Sequence, residues 1–206
     1  HISLILGKDH TKMSKRHGAT SVDQYRQLGY LPAGIDNFLA LLGWAPSSEQ
    51  ELFTIEELIQ EFSMERVAKN PAVFDIDKLN WINQQYMRQL DAEAFFEAAK
   101  PHMIEAGYMT GEEEGEKLEW LKKVVATSKD HVAFGAQIPA CVEMYFNDEF
   151  DFENEEAAEV LKAETVPTVI GMLLEELPKM EVIDGAAVKA LFKTIQKTTK
   201  LKGKDV

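Results

Sequence analysis

Most of the chain after residue 20 repeats apolar residues at the spacing of one helix face, and this pattern constrains the fold most. Ile35, Phe38, Leu39 and Leu42 follow the i, i+3, i+4, i+7 rule. Further helices are predicted over residues 91–106, 112–127, 155–163, 168–177 and 185–198, with a weaker pattern over 138–146. Residues 1–6 are short and apolar, which predicts one buried strand. The predicted fold class is therefore mainly α.

Residues that favour helix ends stand at the borders of these segments. Pro32 suits the first turn of a helix that Gly43 would end. Thr54 and Glu57 form a capping box, in which each side chain bonds the other residue's free backbone N–H group. Asp75 is placed to open a further helix. These signals indicate several short helices rather than a few long ones.

The composition of the 206 residues, 45% hydrophobic and 28% charged, is that of a globular protein and excludes wholesale disorder. No apolar run approaches the roughly 20 residues that span a bilayer. The single cysteine, Cys141, allows no internal disulfide and no metal cluster, and we expect it to be buried. These features predict a cytoplasmic protein that does not enter a membrane.

The formal net charge of −13 argues against a polyanionic partner, but the charge is unevenly distributed. Residues 143–184 are strongly acidic, which is typical of a solvated face. Both ends of the chain are basic, with Lys8, Lys12, Lys15 and Arg16 near the start and Lys189, Lys193, Lys197, Lys200, Lys202 and Lys204 near the end. Because a polyanion responds to the local field, a nucleic-acid partner stays open.

One basic loop is predicted directly after the strand, where Thr11–Gly18 reads TKMSKRHG. Two lysines three residues apart on a loop can follow the charge on moving phosphates, since each is a point charge on a flexible stem. No GxxxxGK precedes them, so this is not a Walker loop. A solvated basic loop is the alternative. His10 and His17 have no metal-ligand partners at suitable spacing, and no metal is predicted.

Several runs place this loop in a family. Residues 12–16 (KMSKR) match the second signature of class I aminoacyl-tRNA synthetases. The first block that follows comprises residues 24–26 (QYR), 29–32 (GYLP) and 37–44 (NFLALLGW). The second block comprises residues 65–67 (ERV), 71–75 (PAVFD) and 78–83 (KLNWIN). The chain resembles bacterial glutamyl-tRNA synthetases, closely up to about residue 90 and more loosely beyond.

This resemblance implies roles for the loop residues. Lys15 is implied to bind ATP, and Lys12 is implied to assist it at the phosphates, so both are candidate catalytic residues. Met13, Ser14 and Arg16 would complete the loop, with Met13 as its apolar anchor.

Six residues outside the loop are candidates for contact with tRNA. Arg66, Lys69 and Lys78 belong to the second block and could meet tRNA phosphates, with solvated surface charge as the alternative. Trp44, Trp81 and Trp120 could stack on bases, but each lies in an apolar pattern, and we expect core packing.

The resemblance also implies a domain organisation. Residues 1–19 would end a Rossmann-type catalytic domain, and 20–90 would be an α-helical stem-contact domain. Residues 91–150 and 151–206 would be two subdomains of an incomplete α-helical anticodon-binding domain. The chain opens with His1 and lacks the His-Ile-Gly-His signature and the adenine and glutamate pockets. We expect a carboxy-terminal fragment that is inactive alone.

The implied activity of the intact enzyme is activation of glutamate by ATP with Mg²⁺, followed by transfer to the 3′ end of tRNA(Glu). ATP and glutamate would be bound by the missing catalytic domain, and the protein would be a monomer. One alternative is a free-standing tRNA-binding or regulatory module related to a synthetase. A helical protein-interaction domain is the other.

Overall fold

The computed structural model describes residues 4–14, 16, 18, 21–147, 155–180 and 183–199, leaving aside the side chains of 156–158. The chain divides into two compact units, His1–Asp148 and Glu149–Val206. The prediction of a mainly α chain is confirmed.

Two short strands and ten α-helices make up the regular structure of the described residues. The strands are β1 (Ile5–Leu6) and β2 (Ala72–Val73). The helices of the first unit are α1 (Val22–Gln27), α2 (Pro32–Leu41), α3 (Ile55–Glu61), α4 (Ile76–Gln89), α5 (Ala92–Glu105), α6 (Gly115–Thr127) and α7 (Ile138–Val142). Those of the second unit are α8 (Glu155–Leu161), α9 (Val166–Glu176) and α10 (Gly185–Thr199).

The helix borders follow the capping residues. Pro32 begins α2, and the chain leaves that helix before Gly43, whose φ of 91° suits glycine. Thr54 and Glu57 form the predicted capping box of α3. The Asp75 carboxylate accepts hydrogen bonds from the backbone N–H groups of the first turn of α4. Local side-chain chemistry therefore sets where these helices start and stop.

β1 and β2 pair in parallel, with Ile5 opposite Ala72 and Leu6 opposite Val73. Leu4 lies outside the strand, and residues 1–3 of the predicted strand lie outside the described residues. The segment over 138–146 also differs from the prediction, since a short helix gives way to a 3-10 turn at Glu143–Tyr145. The pairing of β1 with β2 brings the start of the described chain against the segment that precedes α4.

The first unit contains three clusters of buried apolar side chains. One lies between α1, α2 and α4 and comprises Tyr25, Tyr30, Ile35, Phe38, Leu79 and Ile82. A second, around α3, comprises Trp44, Phe53 and Leu58. The third, around α5, α6 and α7, comprises Met87, Phe95, Phe96, Ala99, Met103, Met109, Leu121, Val124, Val125, Val132, Ile138 and Val142.

Polar contacts connect residues 21–90 with the helices beyond. The buried Asn83 side chain accepts a hydrogen bond from Leu31 N (2.9 Å) and donates one to the Ala133 carbonyl (2.5 Å). Gly135 N donates to the Gly29 carbonyl (3.1 Å). Loss of these bonds would leave the buried Asn83 amide unpaired, which costs free energy. The bonds therefore fix the position of residues 21–90 relative to the helices beyond.

The second unit has its own small core. Val169 on α9 and Leu191 and Ile195 on α10 are buried together. Partly buried residues of the α9 side complete the packing, namely Met172, Leu173, Leu177 and Met180. α9 and α10 therefore pack against each other through apolar side chains, whereas Ile170 and Leu174 of α9 are exposed.

Four burial predictions were wrong. β1 was predicted to be a buried strand, but Ile5 is 36% exposed and Leu6 is only partly buried. Trp44 is buried as expected, but Trp81 and Trp120 are 42% and 43% exposed. Trp81 lies across α4 from Leu79, and Trp120 lies at the edge of the buried stripe of α6, where it contacts the Phe146 ring edge-on. Cys141 is exposed rather than buried. An apolar pattern gives the direction of a buried stripe but not its width.

Candidate functional site

The candidate site is the basic loop after β1, which we call the lysine loop (residues 7–18). Gly7 N donates to the Thr11 carbonyl and His10 N donates to the Gly7 carbonyl, both at 2.9 Å. His10 has a φ of 58°, a left-handed conformation in which histidine is enriched among non-glycine residues. Met13 N then donates to the Ile5 carbonyl (3.1 Å). The chain therefore turns tightly and returns along β1.

The carboxylate of Asp9 stabilises this turn from within. Its Oδ1 accepts hydrogen bonds from Thr11 N (3.0 Å) and from the Thr11 hydroxyl (2.8 Å), the geometry of an Asx turn. The guanidinium of Arg16 donates to Thr11 Oγ1 (2.9 Å) and lies 3.7 Å from Asp9 Oδ2. Arg16 therefore contacts the turn of its own loop.

Lys8 attaches the base of the loop to the start of α4. Its ammonium group pairs with Asp75 at 3.2 Å and with Asp77. Hydrogen bonds to Asp77 and Asp75 raise the pKa of Lys8. Burial is the largest influence on Asp75 and opposes ionisation, but the hydrogen bonds from Lys8 and the α4 backbone outweigh it and lower its pKa. Both groups are therefore charged at neutral pH.

Lys12 differs from Lys8 and Arg16. Its backbone lies opposite Leu6 in an isolated antiparallel bridge, and its side chain is exposed. None of the ion pairs among the described residues involves Lys12, whereas Lys8 and Arg16 are both paired. Lys15, assigned to ATP by resemblance, and His17 lie outside the described residues.

Met13 lines a small apolar cavity beneath the loop, with a volume of about 140 Å³. The other lining residues are Ile5, Ser21, Val22, Tyr25, Ile35, Phe38, Leu39, Leu42, Phe74 and Leu79. Ser14, next along the loop, is exposed. Met13 of the loop therefore shares this cavity with side chains of α1, α2 and α4, and Lys8 pairs with the start of α4.

The three residues predicted to meet tRNA have different surroundings. Arg66 ends a 3-10 turn at Met64–Arg66 and is exposed, as is Lys69. Lys78 lies in the first turn of α4 and pairs with Glu51 at 2.5 Å. Since β2 follows Lys69 closely and pairs with β1, the segment carrying Arg66 and Lys69 leads to the strand beside the lysine loop.

Sequence reasoning missed the acidic partners of the loop. Asp75 was identified as a helix cap, but neither it nor Asp77 was associated with Lys8, which lies 69 residues before Asp77. No local pattern in a single sequence reports such a pair. Only the pairing of β1 with β2 brings the two segments together.

Two further findings concern only the described part of the chain. Within it, no group of three or more His, Cys, Asp or Glu side chains could hold a metal ion. Nor does any helix there have the length and apolar character needed to cross a membrane.

Comparison with protein families divides the chain in the same order as the motifs. Residues 1–81 match the catalytic domain of class I tRNA synthetases (E and Q). Residues 94–206, more than half of the chain, match the anticodon-binding domain. The chain belongs to the anticodon-binding domain family. The first match includes the lysine loop and both strands, so this family member also carries part of a class I catalytic domain.

Individual relatives agree with this assignment. The chain is 48% identical over 206 residues to glutamate–tRNA ligase 1 of Caldicellulosiruptor saccharolyticus, covering 100% of the chain and 42% of that protein. It is 48% identical over 204 residues to the glutamate–tRNA ligase of Desulforamulus reducens, covering 99% of the chain and 42% of that protein. The chain therefore spans less than half the length of these relatives.

A solved structure shows the same fold. A glutamate tRNA ligase from Elizabethkingia meningosepticum, determined in complex with its amino acid, superposes with a TM-score of 0.75 at 24% sequence identity. The superposition covers 100% of this chain and 43% of that one. The resemblance to bacterial glutamyl-tRNA synthetases is confirmed, and these comparisons give no support to a free-standing module.

Proposed function

We propose that this chain is the tRNA-binding portion, with the lysine loop, of a glutamate–tRNA ligase. The intact enzyme would activate glutamate with ATP to form glutamyl-adenylate and pyrophosphate, and would then transfer glutamate to the 3′ end of tRNA(Glu). The observation that carries this proposal is the match of both halves of one chain, in order, to a class I (E and Q) catalytic domain and an anticodon-binding domain.

In this proposal Lys12 and Lys15 stabilise the negative charge that develops on the departing pyrophosphate. Lys12 is exposed and has no ion pair among the described residues, so its ammonium group could meet phosphate oxygens, whereas Lys8 and Arg16 are engaged within the protein. Mg²⁺ would enter with ATP as part of the substrate. Met13 and Ser14, between these two lysines, and Arg16, directly after them, would keep the loop in shape.

The remaining residues would bind tRNA. Arg66 and Lys69 are exposed cations without ion-pair partners among the described residues, and we propose that they contact tRNA phosphates. Lys78 would do so only by exchanging its pairing with Glu51. The protein would act as a monomer in the cytoplasm.

Titration of the 206-residue chain with tRNA(Glu) between 50 and 200 mM salt tests the proposal. We expect saturable binding that weakens steeply with salt, because phosphate contacts release counterions. Arg66→Ala and Lys69→Ala should each reduce the salt slope by about 1. Lys122→Ala, which removes a lysine paired with Glu93, is the control and should leave the slope unchanged. Absence of saturable tRNA binding would contradict the proposal.

A further inference from the structure

α10 of the second unit carries a row of positive charge that has no ion-pair partner among the described residues. Lys189, Lys193 and Lys197 are exposed and are spaced four residues apart. At 1.5 Å per residue, successive lysines rise by about 6 Å along the helix axis and remain on one face. The buried residues Leu191 and Ile195 lie on the opposite face. We call these three side chains the α10 lysine row.

No acidic side chain on α10 offsets this row, since the helix sequence is GAAVKALFKTIQKTT. Asp184, just before the helix, is engaged in accepting a hydrogen bond from Ala187 N (2.7 Å). None of the ion pairs among the described residues involves Lys189, Lys193 or Lys197. Like charges at i and i+4 destabilise a helix, so the row opposes folding locally.

The other described lysines of the second unit are arranged differently. Lys162 pairs with Glu159 at 2.6 Å. Lys179 pairs with Glu175 at 3.2 Å and with Glu176 at 2.8 Å. Within the described residues, Lys162 and Lys179 are therefore paired with acidic side chains, whereas the three lysines of α10 are not. Repulsion between like charges that lowers stability in this way is expected at a surface that binds a ligand.

We propose that the α10 lysine row binds the phosphate backbone of RNA without reading its sequence. The inference rests on the proposed function, in which this chain binds tRNA. Three flexible ammonium groups in a row offer charge to successive phosphates, but they lack the planar fork with which arginine recognises one acceptor pair. The row would therefore add affinity common to all tRNAs and no discrimination among them.

A pair of charge-matched variants of the full chain tests this proposal. Lys189→Gln/Lys193→Gln and Lys162→Gln/Lys179→Gln each remove two positive charges from the same unit. If each α10 lysine meets one phosphate, the first variant should reduce the slope of log Kd against log salt by about 1.4–1.8, and weaken binding about tenfold or more near 0.1 M salt. The second variant should match the unmodified chain, because its lysines are already paired.

Two further measurements complete the test. tRNA(Glu) and a non-cognate tRNA should lose affinity by the same factor, and Lys197→Gln alone should give about half the change in slope. Equal weakening by both double variants would overturn the proposal, since it would show a response to net charge. Unchanged binding by the α10 variant would overturn the proposal while leaving the proposed function intact. Failure of the unmodified chain to bind tRNA would overturn both.

Discussion

The described cations of the lysine loop differ in what they contact. Lys8 binds the two carboxylates at the start of α4, and Arg16 binds the turn formed by Asp9 and Thr11. Lys12 has no ion pair within the described residues. Single residues of the same charge therefore serve different purposes within one short loop. Lys8 and Arg16 fix the shape of the loop, whereas Lys12 is left exposed.

Replacing the candidate catalytic lysines in a full-length ligase should mainly slow glutamate activation. Lys15→Ala is expected to reduce the rate of adenylate formation by about 10²–10³-fold, because the proposed role of this lysine is to donate to charge that develops in the transition state. Lys12→Ala should act in the same direction but more mildly. The measurement is single-turnover activation beside a tRNA titration, in which affinity should hardly change.

Lys69→Ala is the matched comparison for these variants, as another lysine-to-alanine change on the surface. It should weaken tRNA binding and leave activation intact. If Lys15→Ala instead lowered only the affinity for tRNA, the loop would be an RNA clamp, and its assignment to ATP would be wrong.

At the scale of elements, α5 packs against the turn that follows α1 through a tightly enclosed histidine. A Cβ atom placed on Gly29 would lie 2.4 Å from His102 Nε2, and one placed on Gly135 would lie equally close. Gly29 also has a φ of 81°, a conformation that favours glycine. The two glycines and the imidazole therefore fit together only because the glycines have no side chains.

This enclosure makes the first unit sensitive to acid. Burial lowers the pKa of His102, and the charge of Glu105 opposes this only in part. In the unfolded chain the pKa of His102 is about 6.5. As the pH falls below this value, His102 gains a proton in the unfolded state before it does so in the folded state, so folding is disfavoured. The free energy of unfolding should therefore fall as the pH decreases from 7.5 to 5.5, and the contribution of His102 should be constant above about pH 7.

Urea unfolding at pH 7.5 and 5.5 measures this effect, with tryptophan fluorescence as the signal. All three tryptophans lie in the first unit, so the signal reports that unit alone. His102→Gln should reduce the difference in stability between the two pH values. His131→Gln, at an exposed histidine, should leave the difference as it is. An unaltered difference in the His102 variant would exclude this histidine as the cause.

The elements that could be predicted from the sequence are those specified by neighbouring residues. The start of α2 at Pro32, the box at Thr54 and the cap at Asp75 each act within one helical turn, and the structure has all three. β2 could not be predicted, because two residues carry no recognisable period and their partner strand lies far away in the sequence. For the same reason the sequence did not predict that Asp77 pairs with Lys8.

At the scale of the whole molecule, the chain joins part of a class I catalytic domain to residues that match an anticodon-binding domain. The catalytic-domain match covers only residues 1–81, and the chain spans 42% of its relatives. The helices that follow outnumber the strands, and most of the described core belongs to them.

The isolated chain should show no glutamate-dependent exchange of pyrophosphate into ATP, even with tRNA present. In the proposed function the lysine loop stabilises the leaving pyrophosphate, but binding energy for adenine and glutamate must come from groups that orient them for reaction. An exchange assay at high protein concentration, with a full-length ligase as the positive control, measures this directly. Exchange clearly above a blank without protein would mean that these 206 residues contain a complete activation site.

The parallel pairing of β1 with β2 also orders events during synthesis on the ribosome. Lys8 is made 69 residues before its partner Asp77. At about 5–20 residues per second, this interval lasts about 3–14 s. The lysine loop is therefore translated well before Asp75 and Asp77, the two carboxylates that support its base. Its base cannot assume its final form until α1, α2 and α3 have all been added to the nascent chain.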